Sequence, residues 1–155
     1  MPTHFQGTPE EELALDSYIK LTRANDTITA RLSVSGSMQD LTISQFGVLE
    51  ALYHLGPQAQ SILGEKILKS NSNMTTVIDN LEKRDLVKRE RAVDDRRKII
   101  VHLTESGMHL IKEIFPNHVR EIEKQFSVLS VEEKQQLCEL LRQLGKHEKV
   151  FVSSK

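Results

Sequence analysis

Lys88, Arg89, Arg91, Arg96, Arg97 and Lys98 put six cations into one short stretch of this chain. Cations clustered this way suit contact with a phosphate backbone, where each neutralised phosphate releases a condensed counterion. Just upstream, Ser72, Asn73, Thr75, Thr76, Asp79, Asn80 and Lys83 alternate with Met74, Val77, Ile78 and Leu81 at helical spacing. The apolar set belongs against a core. The polar set is built of short hydroxyl and amide side chains that can bond phosphate oxygens or base edges. Asn73, Thr76 and Asn80, at i, i+3 and i+7, form one outward stripe.

The elements that position these residues are punctuated clearly. Leu86-Val87-Lys88-Arg89-Glu90-Arg91 and Lys98-Ile99-Ile100-Val101-His102-Leu103 read as two strands, with the polar tip Ala92-Val93-Asp94-Asp95-Arg96-Arg97 reversing the chain between them. A two-stranded hairpin this short is marginal alone and must lean on helices. Thr8-Pro9-Glu10-Glu11, Thr42-Ile43-Ser44-Gln45 and Ser130-Val131-Glu132-Glu133 are capping boxes that open helices. The first helix ends near Ser35-Gly36-Ser37, and Gly56-Pro57 stops the second. Short helices are predicted over residues 61–68 and 72–84, separated by the turn Lys69-Ser70-Asn71. Thr104-Glu105-Ser106-Gly107 opens a long helix that Pro116 is expected to kink or interrupt near Phe115. Two short helices followed by a basic hairpin make a winged helix-turn-helix in which the second short helix enters the major groove. The fold class is therefore mostly α with a small β-hairpin.

At 155 residues the chain fits one domain with room for a sizeable core. The net charge of −1 hides an asymmetry: residues 59–103 hold ten Lys/Arg against seven Asp/Glu. No apolar run is long enough to cross a bilayer, and no signal-peptide pattern opens the chain. Cys138, the single cysteine, cannot form an intrachain disulfide, so the chain reads as cytosolic; its leucine-rich surroundings suit a small buried hydrophobe. Ile19, Leu21, Ile122, Phe126, Leu129, Leu137, Leu141 and Leu144 exceed what the winged unit can bury. They suit an interface in which the ends of two copies interlock.

The run Leu81-Glu82-Lys83-Arg84-Asp85-Leu86-Val87-Lys88-Arg89, then Asp95-Arg96-Arg97, then Leu103-Thr104-Glu105-Ser106-Gly107, resembles the MarR family of bacterial transcriptional regulators. The likeness extends from about Glu10 to Leu144. It implies a domain over residues 10–147, with the helix-turn-helix near 59–84, the wing near 86–103, and dimerisation helices near 10–35 and 104–147. It implies a homodimer that binds a palindromic double-stranded operator, most simply as a repressor. By carry-over, Arg97 enters the minor groove and Asp95 orients it, while Arg89, Arg91 and Arg96 touch phosphates or brace the hairpin. Asp85 stands where many members have glycine, and aspartate tolerates a left-handed cap better than most residues.

Leu52-Tyr53-His54-Leu55-Gly56, Gly64-Glu65-Lys66-Ile67-Leu68 and Ile114-Phe115-Pro116-Asn117-His118 are similar to stretches of quinone- and hydroquinone-responsive repressors of Gram-positive bacteria. The resemblance implies a ligand pocket at the junction of dimerisation and DNA-binding elements, taking a phenolic or quinone-like molecule. Tyr18, Phe46, Leu49, Tyr53 and Ile111 are its expected lining. The same residues have structural readings: His54 and Tyr53 as the close of a helix, His118 as a surface residue beyond the proline.

Other chemistries leave weaker traces. His109 and Glu113 have the i, i+4 spacing of a metal pair, but without further ligands they read as surface partners. A Walker loop, dinucleotide fingerprint, nucleophile elbow and zinc-hydrolase motif are all missing, so neither an enzyme nor a cofactor is expected. The alternatives are a winged-helix protein-interaction module and a metal-responsive regulator. The first has no need of Arg96 and Arg97 at the wing tip; the second needs three or four converging ligands.

Overall fold

The structure, a computed structural model, describes residues 4–67 and 71–146. Among these residues, six helices and three short strands follow in the order α1 (Pro9–Ser35), α2 (Ile43–Leu55), β1 (Gln58–Ala59), α3 (Gln60–Ile67), α4 (Asn71–Lys83), β2 (Val87–Arg91), β3 (Ile99–Leu103), α5 (Glu105–Phe126) and α6 (Val131–Gly145). They fall into two compact units, the first ending at Glu121 and the second beginning at Ile122. The expected Lys69-Ser70 part of the turn before α4 lies outside the described residues.

All three predicted capping boxes form, at Thr8, Thr42 and Ser130. At Thr42 the hydroxyl accepts from Gln45 N at 3.1 Å while Gln45 Oε1 accepts from Thr42 N at 3.0 Å. Both orphan donors are thereby satisfied, which fixes where α2 starts. Gly36 ends α1 in the left-handed region (φ 74°), as its place in the sequence predicts. Gly56 also has positive φ, but with ψ −169° it turns the chain outward rather than making the expected left-handed cap.

The core of the first unit joins α2, α3, α4, the sheet and the start of α5. Val48, Leu49, Leu63, Met74, Ile78, Leu81, Val101 and Ile111 are fully buried within it. Each such side chain contributes roughly 1.5–3 kcal/mol of transfer free energy, an upper estimate. The wing departs from the two-stranded expectation. β3 pairs antiparallel with β2 on one side and with β1 on the other, through Gln58↔Val101 and Ala59↔Ile100. The third strand resolves the marginality of an isolated hairpin and ties the wing to the entry of α3.

Pro116 lies inside α5, which runs through it without interruption. The missing proline N–H leaves only the carbonyl of exposed Lys112 without its helical partner, and water can take that place. Leu-Thr-x-x-Gly acquires a physical meaning at the start of α5. Thr104 Oγ1 accepts from Gly107 N at 3.0 Å and donates to Asp85 O at 2.6 Å, while Thr104 N donates to Leu86 O at 3.2 Å. A Cβ on Gly107 would stand 2.0 Å from Leu86 O, so only glycine lets α5 approach this closely. Asp85 takes φ 57°, the left-handed conformation expected of it, and turns α4 into β2.

Candidate nucleic-acid interface

α4 is amphipathic in the predicted sense. Met74, Ile78 and Leu81 are buried, Val77 is half-buried, and Asn73, Thr75, Thr76, Asn80 and Lys83 are exposed. With α4 beginning at Asn71, Ser72 and Asn73 fall in its first turn, at the positive end of the helix dipole, which favours anionic contacts. Thr75 is held from behind: Gln60 Nε2 donates to its Oγ1 at 2.9 Å, linking α3 to α4. Nothing in the sequence marks Gln60, because the contact exists only once the two helices pack.

The wing tip has the geometry expected of it. Asp95 Oδ1 accepts from Arg97 N at 3.0 Å and from Arg97 Nε at 3.3 Å. One carboxylate oxygen therefore shapes the turn and steers the guanidinium base. The Arg97 side chain is 91% exposed, leaving its two terminal nitrogens projecting from the tip. Arg91 Nη1 donates to Arg96 O at 3.1 Å, bracing the two sides of the turn. Arg96 is exposed.

Arg89 departs from this pattern. Strand alternation places it on the face of buried Val87, opposite Val101, while Lys88 and Glu90 face outward. Its Nη2 bonds Asp79 Oδ1 and, at 3.3 Å, Thr75 O; its backbone N donates to Glu82 Oε2 at 3.1 Å. Three points on α4 are thus gripped by one residue of the wing. Outward, Lys88 Nζ and His102 Nε2 flank Glu90 at 3.2 and 3.4 Å.

The residues expected to line a ligand pocket are divided by the structure. Phe46, Leu49 and Ile111 are packed in the core, with Leu49 and Ile111 fully buried, so they offer no open lining. Tyr18 lies on α1 and is 66% exposed. Tyr53 is half-buried and belongs to an aromatic group: its ring centroid lies 4.9 Å from His54 and 6.4 Å from Phe115, and His54 lies 4.9 Å from Phe115. His118 is not a surface residue. It is buried, its ring lies 4.2 Å from Phe46, and its Nδ1 is 3.1 Å from Ser37 Oγ. Burial holds its imidazole below the usual value of 6.5, partly opposed by the Glu50 carboxylate.

Cys138 is exposed on α6, against the expectation of burial. It lines a surface groove of about 410 Å³ with Val131, Lys134 and Arg142. His109 and Glu113 form an exposed pair at 3.8 Å. Among the described residues, no three His, Cys, Asp or Glu side chains converge as a metal site, and no helix is long and apolar enough to cross a membrane.

Comparison with known proteins agrees with this geometry. The model of the MarR family matches residues 41–99, which span α2 to the start of β3. The HTH-type transcriptional regulator MhqR of Bacillus subtilis is 37% identical over 140 residues, covering 90% of this chain and 97% of that one. The chain belongs to the MarR family. Among solved structures, the MarR family regulator AbsC of Streptomyces coelicolor superposes with a TM-score of 0.80 at 25% identity, covering 92% of this chain and 97% of that one. BpsR of Bordetella bronchiseptica, described with regulation of its DNA binding by 6-hydroxynicotinic acid, gives 0.75 at 27% identity over 84% of this chain and 98% of that one. Membership makes the protein a winged-helix DNA-binding transcriptional regulator and not an enzyme. The Leu-Thr-x-x-Gly and Asp-x-Arg features of this MarR protein are the bonds of Thr104 to Asp85 and of Asp95 to Arg97.

Proposed function

We propose that the protein acts as a homodimeric repressor whose two lobes read a palindromic operator. α4 supplies base readout from Asn73, Thr76 and Asn80, supported by Ser72, Thr75 and Lys83. The wing supplies Arg97 to the adjacent minor groove, with Arg91 and Arg96 near phosphates. The observation that carries this reading is Arg97, 91% exposed at the tip yet anchored at its base by Asp95. An inserted arginine needs a free guanidinium edge and a fixed direction, and a narrow A·T-rich groove concentrates the potential that attracts it. The dimerisation region comes from both ends of the chain, residues 10–35 and 104–147.

The inducer is a small phenolic or quinone-like aromatic molecule. The half-buried Tyr53 with His54 and Phe115 supports this class, since stacked and edge-on ring contacts suit a planar ligand. The named ligand of BpsR, a hydroxylated aromatic acid, has related chemistry. A ligand releases DNA only by favouring the conformation that does not bind it, and tenfold release needs about 1.4 kcal/mol of differential affinity.

The test selects a preferred duplex from a random-sequence pool with the wild-type protein and repeats the selection with Asn73→Ala and Thr76→Ala. Each variant is expected to lose about 1–3 kcal/mol on the wild-type site and to relax preference at one position of each half-site. Unaltered affinity and sequence preference in both variants would place recognition elsewhere. A panel of phenols and quinones that neither raises the melting temperature nor releases the selected duplex would remove the inducer assignment.

A further inference from the structure

Arg89 sits in the cationic hairpin, where its charge would ordinarily be assigned to a DNA phosphate. Its surroundings say otherwise. The side chain is only 23% exposed, and its Nε is buried with no partner among the described residues. Its Nη2 reaches two points of α4 one helical turn apart, the carboxylate of Asp79 and the carbonyl of Thr75, and its own backbone N is fixed by Glu82. Thr75 and Asp79 directly precede Thr76 and Asn80, two members of the outward stripe. Asp79 remains 46% exposed on the helix that faces DNA, so an unpaired carboxylate there would repel phosphates.

We infer that Arg89 is a positioning and specificity-determining residue rather than a phosphate contact. It cancels the Asp79 charge and sets the rotation of α4 relative to the wing, so that major-groove and minor-groove contacts share one register. This rests on the DNA-binding reading above. The planar fork is essential to it: a guanidinium can join a carboxylate and a carbonyl in fixed directions, whereas an ammonium is a point charge on a flexible stem. The inference predicts a separation that a phosphate contact cannot give. Loss of a phosphate contact lowers affinity for every duplex and makes the salt dependence shallower, because one fewer counterion is released per lobe. Loss of a positioning residue weakens the correct site most and leaves the salt slope alone.

The experiment measures anisotropy of the full-length wild type, Arg89→Lys, Arg89→Met and the double variant Arg89→Met with Asp79→Asn. Each is titrated against the selected duplex and a scrambled duplex of equal length, over a range of salt, with circular dichroism to confirm folding. Arg89→Met is expected to lose about tenfold or more on the selected duplex and much less on the scrambled one, with an unchanged salt slope. Arg89→Lys, which keeps the charge and the backbone bond to Glu82, is expected to lose discrimination in the same way even where Arg89→Met folds poorly. The double variant should regain part of the loss, since the stranded carboxylate is gone. Equal loss on both duplexes with a shallower slope would make Arg89 a phosphate contact and overturn the inference. Discrimination kept in both single variants would overturn it too. A wild type that prefers no duplex would instead overturn the DNA-binding reading, and this inference with it.

Discussion

The minor-groove role proposed for Arg97 rests on geometry as much as charge. Asp95 Oδ1 holds both the backbone N and Nε of Arg97, while the side chain as a whole stays 91% exposed. As an exposed ion pair this contributes only about 0–1 kcal/mol to folding. Arg97→Ala, Arg97→Lys and Asp95→Ala are therefore expected to remain folded and to bind the selected duplex less tightly, by roughly 1–3 kcal/mol for Arg97→Ala. Arg97→Ala should also show a shallower salt dependence, while Asp95→Ala, which loses aim but no cation, should not. Wild-type affinity in Arg97→Ala would leave the wing as scaffold. Asp95 and Arg97 were legible through the family resemblance, which implied their pairing, and the bond itself is local, spanning two residues. Arg89 was half legible: period-two alternation from Val87 puts it on the inner face, but its partners on α4 emerge only from packing. Gly107 yields a stability prediction at the same scale. Gly107→Ala pushes a methyl against the carbonyl of Leu86. The expected cost is about 1–3 kcal/mol, a melting temperature lower by roughly 3–10 °C.

Elements announced themselves wherever their ends carry chemistry. The boxes at Thr8, Thr42 and Ser130, the glycine after α1 and the left-handed Asp85 all lie where side-chain type dictates. β1 escaped because two residues are too few for any periodicity; its existence depends on β3 passing within hydrogen-bond reach. Pro116 does not interrupt α5, since the helix is otherwise well packed and anchored by Ile111, Ile114 and His118. His118 itself, expected at the surface, joins α5 to the turn after α1 through Ser37 and packs its ring at a tilt against Phe46. This contact has a pH signature. The folded protein favours the neutral imidazole, so its pKa lies below the unfolded value of about 6.5. As pH falls through that value the unfolded chain takes up a proton that the folded chain refuses, and stability declines until the folded pKa is reached. As pH falls through about 6.5, the wild type should lose melting temperature more steeply than His118→Gln. Parallel curves for the two proteins would mean that other groups govern acid sensitivity.

The whole molecule shows an imbalance that one chain does not resolve. Neither α1 nor α6 contains a buried residue, although each repeats apolar side chains at helical spacing. On α1, Leu13 is 67% and Tyr18 66% exposed; on α6, Val131, Leu140 and Leu144 all exceed 60% and Leu141 is 40% exposed. Helices of this kind draw most of their stability from a covered apolar face, so each exposed apolar face is a candidate interaction site. A second copy is the occupant predicted here, because the palindromic operator proposed above would demand two lobes related by a two-fold axis, about one DNA turn apart. Such an interface would bury roughly 2,000 Å² or more. Leu141→Asp places a charge on the apolar face of α6, and sedimentation at micromolar concentration is expected to show the wild type as a dimer and this variant as a monomer. DNA binding then supplies a readout that simple misfolding of the winged unit would not mimic. Joining two lobes makes the second half-site an intramolecular partner, so wild-type protein should prefer a full palindrome over a single half-site by about 10²–10⁴-fold. In Leu141→Asp that preference should collapse while affinity for the isolated half-site persists, since α4 and the wing are untouched. A folded, monomeric wild type at micromolar concentration, or a Leu141→Asp variant with undiminished preference for the palindrome, would show that the exposed faces of α1 and α6 are not the dimer interface.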